Sequence, residues 1–255
     1  MKTYFIFYLI LFVILNCSIS AQINTERYRK DSDSPGFTAN ANVDITAITG
    51  NTDFQFINIG GRLNYNWGES YTFLVSDAGF GWDEGKRIFD QALLHLRHVQ
   101  SFSDLLQGEA FGQIDFNKKR LLNERELIGG GVRIRLLKFE NLKLRLGTGY
   151  FYEHEKINNS KNSADRIDLF ANRLSTYLTI EYKLKDDINF NTITYFQPQI
   201  GVWGDYRILS ENSLIISLSS LVDINIIFSL RYDSEPPETI KKLDTVTKFG
   251  FTFNF

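Results

Sequence analysis

The side chains best equipped for chemistry in this chain are its 3 histidines, His95, His98 and His154, and their spacing argues against a shared site. His95 and His98 stand in an alternating apolar–polar run at an odd separation, so on a strand they point to opposite faces and cannot ligate one metal ion. His154 lies between Glu153 and Glu155, which offer the oxygens a divalent cation takes, but a solvated polar loop is the simpler account. A hydrolase acting on lipid would need a Ser–His pair, and no serine falls opposite a histidine in any pairing legible here. There is no Gly-x-Ser-x-Gly elbow, no phosphate-cradling glycine loop and no zinc spacing. The triplet Gly129-Gly130-Gly131 sits inside a strand-like run, where it relieves crowding or permits a bend. No catalytic residue, metal ligand or cofactor site is expected, and the chain does not read as an enzyme.

The elements that carry these residues are strands almost throughout. From Gly36 onward the period is two, with no convincing helical period. Phe37, Ala39, Ala41, Val43, Ile45 and Ala47 fall on one face, against Thr38, Asn40, Asn42, Asp44 and Thr46 on the other. Ile57, Ile59, Leu63, Tyr65 and Trp67 oppose Asn58, Arg62, Asn64 and Asn66 in the same way. Leu142, Leu144, Leu146, Tyr150 and Tyr152 oppose Lys143, Arg145 and Glu153, so a slip of one residue would put charges into the apolar phase. The pattern predicts about twelve strands, with ten or fourteen as alternatives, at 36–48, 54–67, 71–82, 87–101, 107–117, 125–137, 142–153, 167–184, 187–197, 205–218, 222–233 and 243–255. In the third strand the apolar phase switches near Asp77, which suggests a bulge or a displaced boundary. Connections after even-numbered strands are tight. Several after odd-numbered strands are longer and more polar, notably Asn117–Glu124, Glu153–Arg166 and Asp233–Lys242. Short periplasmic turns and longer external loops are the habit of outer-membrane barrels.

The polar phase carries Arg62, Arg97, Arg133, Arg135, Lys143, Arg145, Arg207 and Arg231 together with Asp44, Glu109, Asp115, Glu181, Glu211 and Asp223. Two accounts stay open. These charges line a narrow aqueous path and tune its ion preference, or they pair across a small lumen and plug it. Near-balanced signs lean toward a plugged or very narrow pore.

A soluble sandwich alternates too, so the choice rests on other features. The strands are long against a soluble mean of about 5–6 residues. Tyr65, Trp67 and Tyr71 gather at one turn and Tyr150 and Tyr152 near the opposite rim, as in the aromatic girdles of a membrane barrel. At the end of the sequence Phe249, Phe251, Phe253 and Phe255 alternate with Lys248, Gly250, Thr252 and Asn254. As an open edge such a strand invites aggregation, whereas in a closed barrel it pairs with a strand near Phe37. The pattern resembles the C-terminal signal read by the outer-membrane assembly machinery. Composition agrees without deciding: 43% hydrophobic residues, 15% aromatic, 4 prolines and a net charge of −2, with no basic stripe for nucleic acid.

Lys2 and the apolar run Tyr4–Leu15 are too short to span a bilayer as a helix and read as a signal peptide cut after Ala21. Residues 1–21 are then a cleaved signal peptide, 22–35 a flexible periplasmic leader and 36–255 the barrel. The single cysteine, Cys17, leaves with the signal, and the mature chain has no disulfide. Lipid attachment at Cys17 is the lesser alternative, because Asn16 is larger and more polar than the residue usual there.

One segment is more specific. RYDSEPPETIKKLDT contains Arg231, Tyr232, Asp233, Ser234, Pro236, Pro237, Lys241, Lys242 and Asp244. It resembles the salt-induced outer membrane protein family (domain of unknown function 481), whose members carry an R-Y-D-S-x-P-P loop and a following K-K-x-D-T before the last strand. TGNTD at Thr49–Asp53 is similar to that family's first external loop, and the resemblance runs from Phe37 to Phe255. It implies an outer-membrane barrel of unestablished biochemical role, with a name that points to expression under salt stress and with no catalytic residues to carry over. Physically, Pro236 and Pro237 stiffen the loop, while Asp233, Glu235, Lys241, Lys242 and Asp244 are placed for ion pairs across its base.

The expectation is therefore an all-β, antiparallel transmembrane β-barrel in the outer membrane of a Gram-negative envelope. It would act as a narrow passive channel or envelope-stability protein linked to salt or osmotic stress. Outer-membrane lipid and, during biogenesis, the assembly machinery are its expected partners; a monomer is favoured and the oligomeric state is left open. The alternatives are a barrel-embedded lipid or lipopolysaccharide hydrolase, and a surface adhesion or receptor protein using the loop from Glu153 to Arg166.

Overall fold

Alternation over long stretches commits each segment to an extended backbone with two unlike faces, and neighbouring segments joined by short turns pair antiparallel. The computed structural model describes residues 35–50, 53–158, 166–219 and 221–253. In it a single antiparallel sheet of 12 strands follows chain order, each strand hydrogen-bonded to its sequence neighbours. The strands are β1 (Gly36–Ile48), β2 (Phe54–Asn66), β3 (Ser70–Asp83), β4 (Lys86–Ser101), β5 (Leu106–Asn117), β6 (Leu122–Lys138), β7 (Leu142–Asn158), β8 (Arg166–Lys185), β9 (Ile188–Gln199), β10 (Val202–Ser217), β11 (Val222–Asp233) and β12 (Leu243–Phe253). One 3-10 turn, Lys118–Arg120, joins β5 to β6. The signal peptide, most of the leader and Phe255 lie outside the described residues, as does part of TGNTD.

Non-neighbouring strands meet on one face of the sheet, which requires it to curl. Tyr177 on β8 donates to Glu109 on β5 at 3.0 Å, and Arg207 on β10 bonds Glu153 and Glu155 on β7 at 2.9–3.1 Å. Among the described residues no ladder joins β1 to β12. The expected closure through Phe255 falls outside them.

The two faces are the reverse of a soluble protein's. Outward, Ile45 is 71% exposed, Ile128 68% and Phe170 60%; inward, Arg125, Glu153 and Arg173 are at most 2% exposed. Tyr65 and Trp67 lie outward together, with ring centroids 4.3 Å apart, at the end of the sheet that holds the turns after even-numbered strands.

Three expectations are corrected. The ladder between β2 and β3 runs unbroken through Asp77, so the phase switch there is not a bulge. Tyr71, Phe73 and Val75 are instead buried inward, where with Val99 they fill the space that polar residues fill elsewhere. This also removes Tyr71 from the aromatic girdle. The irregularity in β3 sits farther on, at Gly81/Trp82 against β4. Second, β6 starts at Leu122 and β7 runs past its expected end at Glu153 to Asn158, so His154 and Glu155 belong to a strand and not to a solvated loop. Third, the length contrast between connections is partial: those at 84–85 and 200–201 are as tight as any after an even strand, and 118–121 is one 3-10 turn.

Candidate functional site on the inward face

The inward positions recur at every second residue, and the curl brings them together in three layers. At the end bearing the connections after odd-numbered strands lies an ion-pair network. Arg207 reaches both oxygens of Glu153 through Nη1 (3.1 and 3.0 Å), Glu155 through Nη2 (2.9 Å) and Asp233 through Nε (3.1 Å). Arg173 donates from Nε to Glu153 (2.5 Å) and grips both oxygens of Asp205 with Nη1 and Nη2 (3.0 and 2.9 Å). Arg125, 0% exposed, donates from Nε to Asp115 at 2.9 Å and stands 3.8 Å from Glu155. Arg231 donates to Asp233 at 3.3 Å. Removing such charges from water costs several kcal/mol per ion, and only dense, forked pairing of this sort offsets it. The network therefore fills space rigidly more than it adds net stability.

The motif loop lies beside this layer. Ser234 donates its backbone N–H to the Tyr206 carbonyl (3.0 Å) and accepts from the Tyr206 N–H through its hydroxyl (2.7 Å). The ion pairs expected across the loop base are not the ones formed. Asp233 turns inward to Arg207 and Arg231, and Asp244 pairs with Arg120 of the β5–β6 connection at 3.0 Å. Lysines on the same loop sit among more buried arginines, whose planar forks match a carboxylate better.

The middle layer is aromatic and cationic. His95 lies between Phe73 and Phe111, with ring centroids 6.2 and 6.0 Å away, and donates from Nδ1 to Oε1 of Gln113 at 3.0 Å. Arg62 sits 5.2 Å over Phe73, and Arg97 5.1 Å over Phe111 while pairing with Glu109 at 3.2 Å. Such contacts contribute about 0.5–2 kcal/mol each when desolvated. Gly147 makes room here, since a Cβ on it would fall 2.1 Å from the Tyr177 ring. The glycine triplet serves the same need: a Cβ at Gly129 would lie 2.6 Å from Cβ of Phe151 and at Gly131 2.5 Å from the Thr148 carbonyl. The cavity left in this layer measures about 60 Å³, room for a few waters.

The third layer, at the even-turn end, holds Arg133, Arg135, Lys143 and Arg145, with Glu181 paired to Arg145 and, at 3.5 Å, to Lys143. Arg133 reaches Gln107 at 3.5 Å. Glu211 and Asp223 occupy the inward phase of β10 and β11, half-buried, with Glu211 in the same ladder row as Arg145, and Phe249 points outward, 57% exposed.

The network also includes Arg125, Arg173, Glu155 and Asp205, which the sequence reading did not name among the lumen charges. Each shares parity with a residue already assigned inward on its strand (Arg133, Glu181, Glu153 and Arg207), so carrying the alternation to the strand ends would have found them. The histidines part company as expected. His95 is buried inward, while His98 is exposed and bonds Thr72 at 2.9 Å. His154, also outward, stacks on Phe170 and meets Asp168 at 2.9 Å.

The sequence matches a family described as "Protein of unknown function, DUF481" over residues 42–255. Comparison with curated proteins returned no match. Among solved structures, a similar chain is that described as a NanC porin in a rhombohedral crystal form; it is 9% identical with a TM-score of 0.48, over 86% of this chain and 99% of that one.

Proposed function

The chain belongs to the family described as a protein of unknown function, DUF481, and with that as premise we propose that it is an outer-membrane β-barrel whose lumen is closed by its own side chains. It acts as a non-enzymatic envelope-stability protein and not as a freely open channel. One observation carries this reading: the sheet exposes apolar side chains on its outer face while burying charged ones such as Arg125 and Glu153 on its inner face. A face of that kind needs hydrocarbon around it, and a lumen lined by ion pairs needs nothing to pass through it. With the leader on the periplasmic side, the ion-pair layer and the motif loop fall at the external end. Added salt screens buried pairs far less than exposed ones, so this closure persists as ionic strength rises, which suits a role under salt or osmotic stress.

Planar-bilayer recording tests the reading. The unaltered protein is expected to give no steady conductance in molar salt. A Glu153→Ser/Arg207→Ser variant, which removes the centre of the network, is expected to give discrete steps. Steady steps from the unaltered protein would remove the plug and restore the narrow-channel account.

A further inference from the structure

Beside the ion-pair network the β11–β12 loop helps enclose a cavity of about 170 Å³. Part of its wall is apolar, with Leu122, Ile157, Ala171, Pro236, Pro237 and Ile240, and the rest is charged. The charges balance in number, six basic side chains against six acidic ones, but they are not equally satisfied. Glu153, Glu155, Asp205, Asp233 and Asp244 all accept from arginines, and only Glu235, exposed on the loop, does not. The basic side differs. Arg120 is 7% exposed and gives Nη2 to Asp244 at 3.0 Å, while its Nε and Nη1 are buried with no hydrogen-bond partner. Arg231 gives Nη2 to Asp233 at 3.3 Å, and its Nε is likewise buried and unmatched. Asp244 holds Arg120 and stands opposite Arg231 in the β11–β12 ladder, so the two arginines flank one carboxylate. A charged donor buried without an acceptor is costly, and in a folded protein it calls for a molecule or ion that completes it. The loop cannot easily collapse onto these donors. Asp233 N–H is bonded to the Lys242 carbonyl and Ile240 N–H to that of Pro237, both at 2.8 Å, and Ser234 is tied to Tyr206.

We propose that this cavity is a binding site for a small solute that carries one oxyanion group, a carboxylate or a phosphate ester, on a compact apolar body. The oxyanion meets the unmatched nitrogens of Arg120 and Arg231, where charge-assisted bonds are strong and either group supplies more than one acceptor oxygen. The body lies against the prolines and Ile240, and the volume is near the roughly 150 Å³ of cavities that admit benzene, so it is about one ring in size. Lys241 and Lys242 border the cavity and are exposed, so they supply steering charge at its mouth. In the orientation proposed above that mouth is external. Glu153 and Arg207 line the inner side, so the solute is held and not passed on, a point that alone rests on the closed lumen.

The test is calorimetric titration of the assembled protein in uncharged detergent at low salt, with benzoate in one arm, phenyl phosphate in a second and neutral benzamide in a third. At least one oxyanion is expected to bind, with benzamide weaker by about tenfold or more, and the stronger arm identifies the preferred group. Arg120→Lys keeps the charge but removes the unmatched donors, and is expected to weaken binding about tenfold or more with heat-modifiable gel migration retained. Lys241→Gln/Lys242→Gln changes exposed loop positions, is expected to weaken binding about threefold or more, and decides the matter if Arg120→Lys does not assemble. Lys156→Gln, on the outward face at the same end, is expected to leave affinity unchanged. The proposal is overturned if neither oxyanion binds or if benzamide binds as tightly as they do. It is equally overturned if assembled Arg120→Lys or the loop variant binds as the unaltered protein does, or if Lys156→Gln weakens binding as much as they do. None of these results bears on whether the lumen conducts.

Discussion

Neutralising Glu153 is the most informative single change. Glu153 is 1% exposed, and its two oxygens accept three hydrogen bonds, one from Arg173 and two from Arg207. In Glu153→Gln the shape remains but two buried guanidinium groups lose a shared counter-charge. Breaking a buried pair costs about 3–5 kcal/mol. Arg173 keeps Asp205, and Arg207 keeps Glu155 and Asp233, so the expected loss lies at the low end, about 3 kcal/mol. Lys183→Gln is the control: its pair with Asp186 at 2.8 Å is fully exposed, screened by solvent, and should contribute little. Equilibrium urea unfolding of protein refolded into lipid vesicles reads the difference. With a slope of about 1–3 kcal/mol per molar urea, the midpoint should fall by roughly 1–3 M for Glu153→Gln and barely move for Lys183→Gln. Equal shifts for the two variants would refute the network as an interlocked, buried unit. Adding Arg173→Gln to the Glu153 variant should cost less than the sum of the separate losses, by about 0.5–3 kcal/mol of coupling.

Four further outcomes are expected. Ile128→Arg, on the outward face near the middle of β6, should destabilise the lipid-embedded protein by about 2–4 kcal/mol in the same assay, whereas a water-facing surface would accept it at no cost. Gly147→Ala should cost about 1–3 kcal/mol by displacing Tyr177 from Glu109, and Tyr177→Leu should shrink that cost; an unchanged cost in the double variant would show that the ring is not the obstacle. Deleting Phe255 should reduce the heat-modifiable, assembled fraction on gels without changing synthesis, and full assembly would discount the aromatic terminus as an assembly signal. Replacing His95, His98 or His154 by alanine should leave the lipid profile of the membrane unaltered, and a change at any one would revive the hydrolase alternative.

Much of the fold was legible because strand formation in this chain is a local, repeated decision. Period two at Leu142–Tyr152 determines which residues face each way, and a one-residue slip would expose Lys143 and Arg145 to the apolar side. The motif from Arg231 to Asp244 pointed to the family whose model matches residues 42–255. Strand ends were less legible. Glu155 looks like a loop residue until Arg207 is known to stand across from it, since only such a partner makes an extended, buried carboxylate tolerable. Phase could also mislead where both faces are apolar: Tyr71, Phe73 and Val75 are inward because Val99 and Arg62 close over them, a fact no local window contains.

What the sequence determined alone, then, was the alternation and the antiparallel, all-β class that follows from it. The curl of the sheet decided which charges meet. It brought β7 to β10 and closed one end with forked ion pairs, and at the other end the register between β6 and β7 set cation against cation. The physical reason is one of range: side-chain direction is fixed by a residue's immediate neighbours, whereas pairing a buried charge depends on strands far apart in the chain.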